Sequence, residues 1–537
     1  MAKPASQHAW SPAKRARVEA ARRPRQIIFN DDTHELALED AGTPEGFLAH
    51  RITPLADTHV GTISWSVLGG QFDAPVYDSK VQPIYGDAHG GPLTYWTNVT
   101  ANVKALVQAG HCPLQLVIDF AHDHDMEAFA SVRMNDVHDS FMDPNGQTIW
   151  KRTHPEYMVD TCGMLPEFEL YTSAQDFSHE AVRARKLEII GEICERYDID
   201  GFELDYIRHP VLFSRRMRGE PCTTEEIEVM TGLMRRIREL TEAAAERRGR
   251  PLLIATRVPD AFARSLDCGL DLKGWLEEDL VDILIAGGGY APFSLPAETF
   301  VEAAHPHGVP VYPCVNQGMA DTLSNGRVLE CVRGLASNWY RAGADGLYFW
   351  NLGTPFEFRT GDDLVEARRR QYACLDEVGD SEVLTGKDKL FCVDNGEGAV
   401  MVYYAHVSSP WPLPITSKRG ALRTGVIGRV PLVVGDDLEA RPPARATLTV
   451  DFDNPAWQEL LFFRLNGHEL PVERFIPATG NQSIGQLDLP VTAPPLRTGR
   501  NLIEIGAKAV EMPEGAVNIT AMKLEVVYEE LGGGQRS

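Results

Sequence analysis

From residue 27 to about residue 376, short and nearly continuous apolar runs alternate with longer amphipathic stretches. A short apolar run with no polar face fits a strand buried on both sides, as in a parallel sheet. Eight such strands are expected: 59–67 (HVGTISWSV), 126–134 (MEAFASVRM), 168–174 (FELYTSA), 200–207 (DGFELDYI), 251–258 (PLLIATRV), 281–288 (VDILIAGG), 309–315 (VPVYPCV) and 344–352 (ADGLYFWNL). Helical patterns lie between them. In EAVRARKLEIIGEICERY, residues 180–197, Val182, Leu187, Ile190 and Ile193 fall on one stripe with helical spacing. EEIEVMTGLMRRIRELTEAAAERRG has the same texture and stops at Gly249, and NVTANVKALVQAG stops at Gly110. Strands alternating with helices argue for an α/β fold. Eight such units argue for a (β/α)8 TIM barrel.

After residue 390 the texture changes. GAVMVYYAHV, RVPLVVG, ATLTVDFDN, LLFFRLNGHEL, SIGQLDLPV, NLIEIGA and ITAMKLEVVYEE alternate apolar and polar residues, with turn residues between them. Alternation of this kind, without a helix-length stretch, predicts an all-β, jelly-roll-like sandwich. The expected organisation is a disordered basic N-terminal tail over 1–26, a (β/α)8 barrel over 27–380 and a C-terminal β-sandwich domain over 390–532. A length of 537 residues suits two or three domains.

Composition narrows the function classes. Hydrophobic residues make up 43% and charged residues 24%, ordinary for a globular protein, while the net charge is −24. A surface that acidic does not bind nucleic acid broadly, and no polybasic membrane surface is expected. An anionic small ligand held by a few local arginines stays open. No apolar run approaches the ~18–20 residues of a membrane span. The basic N-terminus lacks the apolar core of a secretory signal. The nine cysteines show no CxxC spacing, which fits reduced thiols and a cytoplasmic location.

A barrel of this class places its chemistry at the C-terminal ends of its strands. Charge collects there. RMNDVHD supplies Arg133, Asn135, Asp136 and His138, and DGFELDYIRHP supplies Glu203, Asp205, Arg208 and His209. TRVPD adds Arg257 and Asp260, and the remaining runs end near Tyr290, Asn316, Trp350 and Asn351, with Trp65 on the first of them. Glu203 and Asp205 are two residues apart and share one face of their strand. Phe202 and Leu204 take the helix-facing side, so the acids point into the barrel. Asp205 then lies nearer the mouth and Glu203 about 7 Å deeper, at ~3.3 Å per residue. A buried charge needs a partner, and Arg133 or Arg257 is expected beside Glu203. That ordering gives Asp205 the reactive role and Glu203 a supporting one.

The segments RMNDVHDS, HPEYM, YDIDGFELDYIRHPVLF, TRVPD and GLYFWN resemble those of bacterial glycoside-hydrolase-like (β/α)8 proteins, mostly of uncharacterised activity. The resemblance covers roughly residues 25–376. It implies sugar-directed hydrolysis, with an appended β-sandwich. Better-known glycosidase patterns fit less well. The chitinase motif D-G-x-D-x-D-x-E is matched only loosely at Asp200, Gly201, Glu203 and Asp205, and Ile207 stands where its acid belongs. Amylase-type barrels resemble G-x-R-x-D here, and Glu203 replaces that Arg. The two-glutamate barrels need a Glu near Asn316 and Gln317.

The resulting expectation is a glycoside hydrolase with a carboxylate pair at the barrel mouth. Asp205 is the expected nucleophile or base. Asp260 is the first choice for proton donor, with Glu203 and Asp136 behind it. Trp65, Tyr290 and Trp350 would stack on sugar faces. Arg133, Arg208, Arg257, His138, His209, Asn135, Asn316 and Asn351 would hold hydroxyls or an acidic sugar's carboxylate. The expected partner is a carbohydrate substrate, with no cofactor and no metal; a homo-oligomer is left open. Two alternatives remain. One is a divalent-metal-dependent sugar isomerase, epimerase or lyase using Glu203, Asp205, Asp136, His138 and His209. The other is a non-catalytic carbohydrate-binding protein.

Overall fold

A computed structural model describes residues 10–68, 72–352, 368, 371–393, 413, 415–416, 427–452, 460–478, 481–490, 495–508 and 518–529. Eight strands close into a barrel in chain order: β1 (Ile27–Asp31), β2 (Val60–Ser66), β3 (Glu127–Arg133), β4 (Gly201–Asp205), β5 (Leu253–Val258), β6 (Ile283–Ala286), β7 (Val311–Asn316) and β8 (Leu347–Trp350). The recorded strand pairs around it are parallel, and β1 pairs with both β2 and β8. The architecture is therefore a TIM barrel, and a β-rich region of antiparallel sheets follows it.

Two corrections concern which segments build the barrel. The run 168–174 is not a strand: Pro166–Tyr171 is a 3-10 helix that buries Phe168 and Tyr171. These two residues are three apart, one turn of such a helix, so one buried face needs no strand. The strand not anticipated is β1. Its Ile27, Ile28 and Phe29 are fully buried, but three apolar residues after a basic stretch make a faint signal.

That basic stretch is the third correction. Instead of a disordered tail, Pro12–Ala21 forms a helix whose first turn is capped by the Ser11 hydroxyl accepting from the Lys14 amide. Arg17 bonds Asp282 at 3.0 Å and also reaches Glu242 and Asp279, while Lys14 pairs with Asp279. The positive charge of the segment is matched by acids of the barrel, which gives it a reason to order.

The long helices begin and end where their signals lie. Thr224–Arg248 starts with a reciprocal capping box between Thr223 and Glu226 and stops at Gly249, whose φ of 69° an L side chain rarely adopts. No described helix is long and apolar enough to cross a membrane.

Register positions the chemistry. Arg133 on β3 lies opposite Asp205 on β4, which lies opposite Arg257 on β5. One row lower, two residues earlier on each strand, Ser131, Glu203 and Ala255 align. The row nearest the mouth is thus Arg–Asp–Arg, and Glu203 sits beneath it.

The chain divides into two compact units: Met1–Gly288, Pro296–Cys314 and Ala344–Gly379 form one, and Gly289–Leu295, Val315–Gly343 and Asp380–Ser537 the other. The second unit has two antiparallel sheets. One orders β10 (Ile415–Thr416), β18 (Asn518–Val527), β12 (Arg445–Phe452), β16 (Asn481–Leu489) and β15 (Ile476–Ala478), with β9 (Lys389–Cys392) also on β18. The other orders β11 (Ile427–Val434), β17 (Gly499–Ala507), β13 (Leu461–Leu465) and β14 (His468–Leu470). Val430, Leu448, Phe463, Ile505 and Leu524 belong to their shared core. Helix Val328–Arg341 lies on β9 so closely that a Cβ at Gly334 would fall 2.4 Å from the Leu390 carbonyl oxygen. The run GAVMVYYAHV, expected as a strand, lies outside the described residues.

Candidate active site

The C-terminal ends of β1, β3, β4 and β8 meet in a closed circuit of side chains. Arg133 donates to Asp32 and, at 2.9 Å, to Asp136. Asp136 accepts from His138 Nδ1 at 2.9 Å, and His138 Nε2 accepts from Arg208 at 2.5 Å. The Arg208 guanidinium lies 5.4 Å from the centre of the Trp350 ring, whose Nε1 donates to Asp32 at 3.2 Å and closes the circuit. Arg257, from β5, joins from the side, 4.7 Å from the same ring and 3.2 Å from Asp205.

Asp205 is held from the side and from the loop. One oxygen meets Arg257; the other accepts the backbone N–H groups of Ile207 at 3.1 Å and Arg208 at 3.0 Å. This turn swings the chain so that Arg208 and His209 follow directly on the strand end. His209 takes φ 65°, a conformation unusual for a side chain other than glycine, and its Nδ1 accepts from the Val137 amide at 3.3 Å. Its ring lies 4.6 Å from His138.

Glu203, fully buried, has a different environment from the one expected. Ser64 of β2 and Asn30 of β1 bond one of its oxygens, Asn30 at 3.4 Å, and Tyr348 of β8 donates to the other at 2.9 Å. Arg133, expected as its partner, bonds Asp32 and Asp136 instead, because its register places it beside Asp205 in the upper row. Arg257 acts on Glu203 only through its charge. Burial, reinforced by the charge of Asp205, pushes the Glu203 carboxyl up to about 7. The Oδ1 atom of Asn30 is buried without a hydrogen bond. A half-turn of that amide presents its oxygen to a protonated Glu203.

The histidines are neutral at physiological pH. Burial, helped by Arg208 and opposed by Asp136, lowers His138 to about 4. Burial and the Arg208 charge hold His209 well below its usual range. Asp136 also resists burial: His138, His209 and Arg133 keep it well below the ordinary carboxylate range. These partners favour the ionised form of Asp136. Asp260 behaves oppositely. Burial raises its carboxyl even though Arg264 bonds it at 3.0 Å.

Other expected residues take structural places. Trp65 is fully buried, with its Nε1 donating to Glu35 at 2.7 Å and Phe47 packed edge-on, so it offers no face to a sugar. Asn135 donates to the carbonyls of Gln175 at 3.0 Å and Val211 at 2.8 Å and accepts from the Gln175 amide, tying two loops together. Its amide is buried and fully engaged in holding these loops. Asn351, at φ 55°, has its side chain beside Asp32. Tyr290 and Asn316 belong to the second unit, with Asn316 the last residue of β7.

Asp136, His138 and His209 can each offer a ligand atom within 4.8 Å of the others. Their hydrogen bonds argue against a cation there. Both ring nitrogens of His138 are engaged, one of them by a guanidinium, and the Val137 N–H points at His209 Nδ1. A dication would have to displace Arg208.

Acids at the end of β1 and just beyond it, not among the expected site residues, complete the mouth. Asp32 closes the circuit, Asp31 pairs with buried Arg51 at 2.8 Å, and burial together with the Asp31 charge pushes Glu35 well above its ordinary value. His34 stacks on Trp96 at 5.2 Å and is lowered to about 4 by burial. The motif IIFNDDTHE carried the signal: a short apolar run ending in clustered acids, as in DGFELD.

No family model matches the chain, and no curated protein matches it. Among solved structures it is similar to an α-amylase from Geobacillus thermoleovorans complexed with acarbose, at 10% identity and a TM-score of 0.41, over 91% of this chain and 100% of that one. It is similar at 13% identity and a TM-score of 0.41 to α-L-fucosidase isoenzyme 2 from Paenibacillus thiaminolyticus, over 65% of this chain and 49% of that one. A family GH18 chitinase from Chromobacterium violaceum aligns at 11% identity and a TM-score of 0.36, over 96% of this chain and 92% of that one. Similarities of this size do not set this chain's activity.

Proposed function

We propose that this protein is a glycoside hydrolase whose active site is the barrel mouth around Asp205. The observation that carries the reading is the closed circuit of carboxylates, guanidiniums, imidazoles and Trp350 at the strand ends, with Glu203 beneath Asp205. Acid–base cleavage of a glycosidic bond uses a pair of carboxyl groups, and a buried, charge-lined strand end is where such a pair is held.

In this reading Asp205 is the nucleophile or base. Its carboxylate is aimed by Arg257 and two backbone amides, so little reorganisation precedes attack. Asp260, on the loop after β5, is the proton donor, since burial favours its protonated form. Glu203 supports from below: protonated, it limits the negative charge stacked under Asp205. Trp350, buried and flanked by the Arg208 and Arg257 guanidiniums, holds these two cations at the mouth. Arg208 presents the guanidinium that would select an acidic sugar over a neutral one.

Binding to the Asp205→Asn protein tests the substrate class, because uncleaved oligosaccharide stays on it. Uronic-acid-containing and neutral oligosaccharides are titrated separately by calorimetry. Saturable binding of oligosaccharide is expected, tighter for the acidic set. Absence of saturable binding by either set overturns the reading, and equal affinities remove the acidic-sugar part of it.

A further inference from the structure

The second unit contains an open pocket of about 310 Å³ that the barrel chemistry does not use, with Arg341, Ser381 and Thr385 exposed at its rim and Arg441 half-buried in its wall. Four segments of that unit line it: the last turn of helix Val328–Arg341, the turn 381–386 before β9, the turn 435–441 after β11, and Tyr528 after β18. A space of this size suits one small polar molecule.

Its floor is built around one carboxylate. Asp436 accepts from Ser337 Oγ at 2.6 Å, Tyr528 Oη at 2.6 Å and Lys389 Nζ at 3.0 Å. Lys389 is fully buried and also donates to the Leu384 carbonyl at 2.6 Å and the Lys387 carbonyl at 3.1 Å. Asp436 is therefore neutralised from inside and spent on holding three segments together. Asp437 is spent as well, accepting the amides of Glu439 and Ala440 at 3.1 and 3.0 Å.

The cavity's two arginines have no such use. Among the described residues, no carboxylate forms an ion pair with Arg341 or Arg441. The Arg441 side chain makes one hydrogen bond, from Nη1 to the Thr385 carbonyl at 3.2 Å, and rests 5.7 Å from the centre of the Tyr528 ring. Gly386, at φ 71°, lets that guanidinium pass: a Cβ there would lie within 2.3 Å of three of its atoms. The Arg441 side chain is thus seated by an aromatic ring, a carbonyl and a glycine, with most of its N–H groups unspent. Ser381 and Thr385 also line the space; the Thr385 hydroxyl donates to the Ser381 carbonyl at 3.4 Å and has its oxygen left to accept.

We propose that this cavity is a second ligand site, specific for a small polar molecule of sugar size that carries an oxyanion, bound by Arg341 and Arg441. The two guanidiniums receive the anionic group, and the hydroxyls of Ser381 and Thr385 face the rest of the ligand. A carboxylate and a phosphate monoester share this chemistry. The site is independent of the barrel reading, since it draws on no residue of the barrel mouth.

The test titrates full-length protein with D-glucuronate, glucose 6-phosphate and D-glucose, and repeats each titration with Arg341→Ala, Arg441→Ala and the double variant. Both arginines are at the rim or wall of the pocket and outside the hydrophobic core, and thermal melting checks that the variants fold. At least one anionic probe is expected to bind saturably while glucose does not. Each single variant should weaken binding about tenfold, the usual worth of a charge-assisted hydrogen bond. Binding of glucuronate alone identifies a carboxylate ligand, and of glucose 6-phosphate alone a phosphate ester. Binding unchanged in the double variant places the ligand elsewhere and overturns the proposal. So does glucose binding as tightly as the anions, or no saturable binding by either anion.

Discussion

Replacing Arg257 with Met is expected to destabilise the barrel unit by about 3–5 kcal/mol, the usual cost of stranding one member of a buried ion pair. Arg257 is fully buried, 3.2 Å from Asp205, with its guanidinium 4.7 Å from Trp350 and 5.4 Å from Tyr348. Met fills much of the volume and keeps contact with the rings, so packing is largely preserved. What is lost is the countercharge. Asp205 would retain two backbone N–H bonds in a buried position with no countercharge from Arg257. The same argument predicts that Asp205→Asn in the Arg257→Met background recovers part of the loss. Urea unfolding at pH 7, followed by tryptophan fluorescence, measures both. A loss below about 1 kcal/mol would show that the pair is not desolvated as the burial implies.

The second large effect is on the pH dependence of stability. Glu203 titrates near 7 in the folded protein against an ordinary value of 4.5, with burial the leading cause. A raised pKa means that the folded state holds this proton more tightly than the unfolded chain does. The stabilisation is complete below the unfolded value. It fades as pH rises, because the unfolded chain ionises first, and is gone above the folded value. Across the window from 4.5 to about 7 the change is on the order of 3 kcal/mol, from 1.36 kcal/mol per pK unit. Glu203→Gln has no such titration. Its stability relative to wild type should therefore rise by that order between pH 4.5 and pH 8. A flat difference across the window would place the Glu203 carboxyl at an ordinary value.

How much of this was visible in the chain depends on the physical signal each element left. Strands β2 to β8 announce themselves as apolar runs because a parallel strand is buried on both faces. β1 has the same burial, but only three apolar residues lead it, next to a basic segment that reads as a tail. Phe168 and Tyr171 imitate a strand because burial, and not backbone geometry, is what an apolar pattern records. The site divides in the same way. Glu203 and Asp205 were legible because period two fixes their common face, and depth along the strand ranks them. The partner of Glu203 was not legible: it comes from Ser64, Asn30 and Tyr348 on three other strands, and residue spacing within one strand carries no information about what lies across a barrel. Trp65 shows the converse limit. An aromatic residue near a strand end reads as a sugar platform until its Nε1 is found bonded to Glu35 in the core.

The most direct test of the account is turnover. Full-length wild type and Asp205→Asn are incubated side by side with acidic and neutral oligosaccharides and aryl glycosides, and new reducing ends are counted. The account predicts hydrolysis by wild type and a fall of roughly 10²–10⁴-fold in Asp205→Asn, with the melting temperature of the variant showing that it is folded. Equal rates in the two proteins, or no cleavage by wild type of any substrate that the Asp205→Asn protein binds, would contradict it.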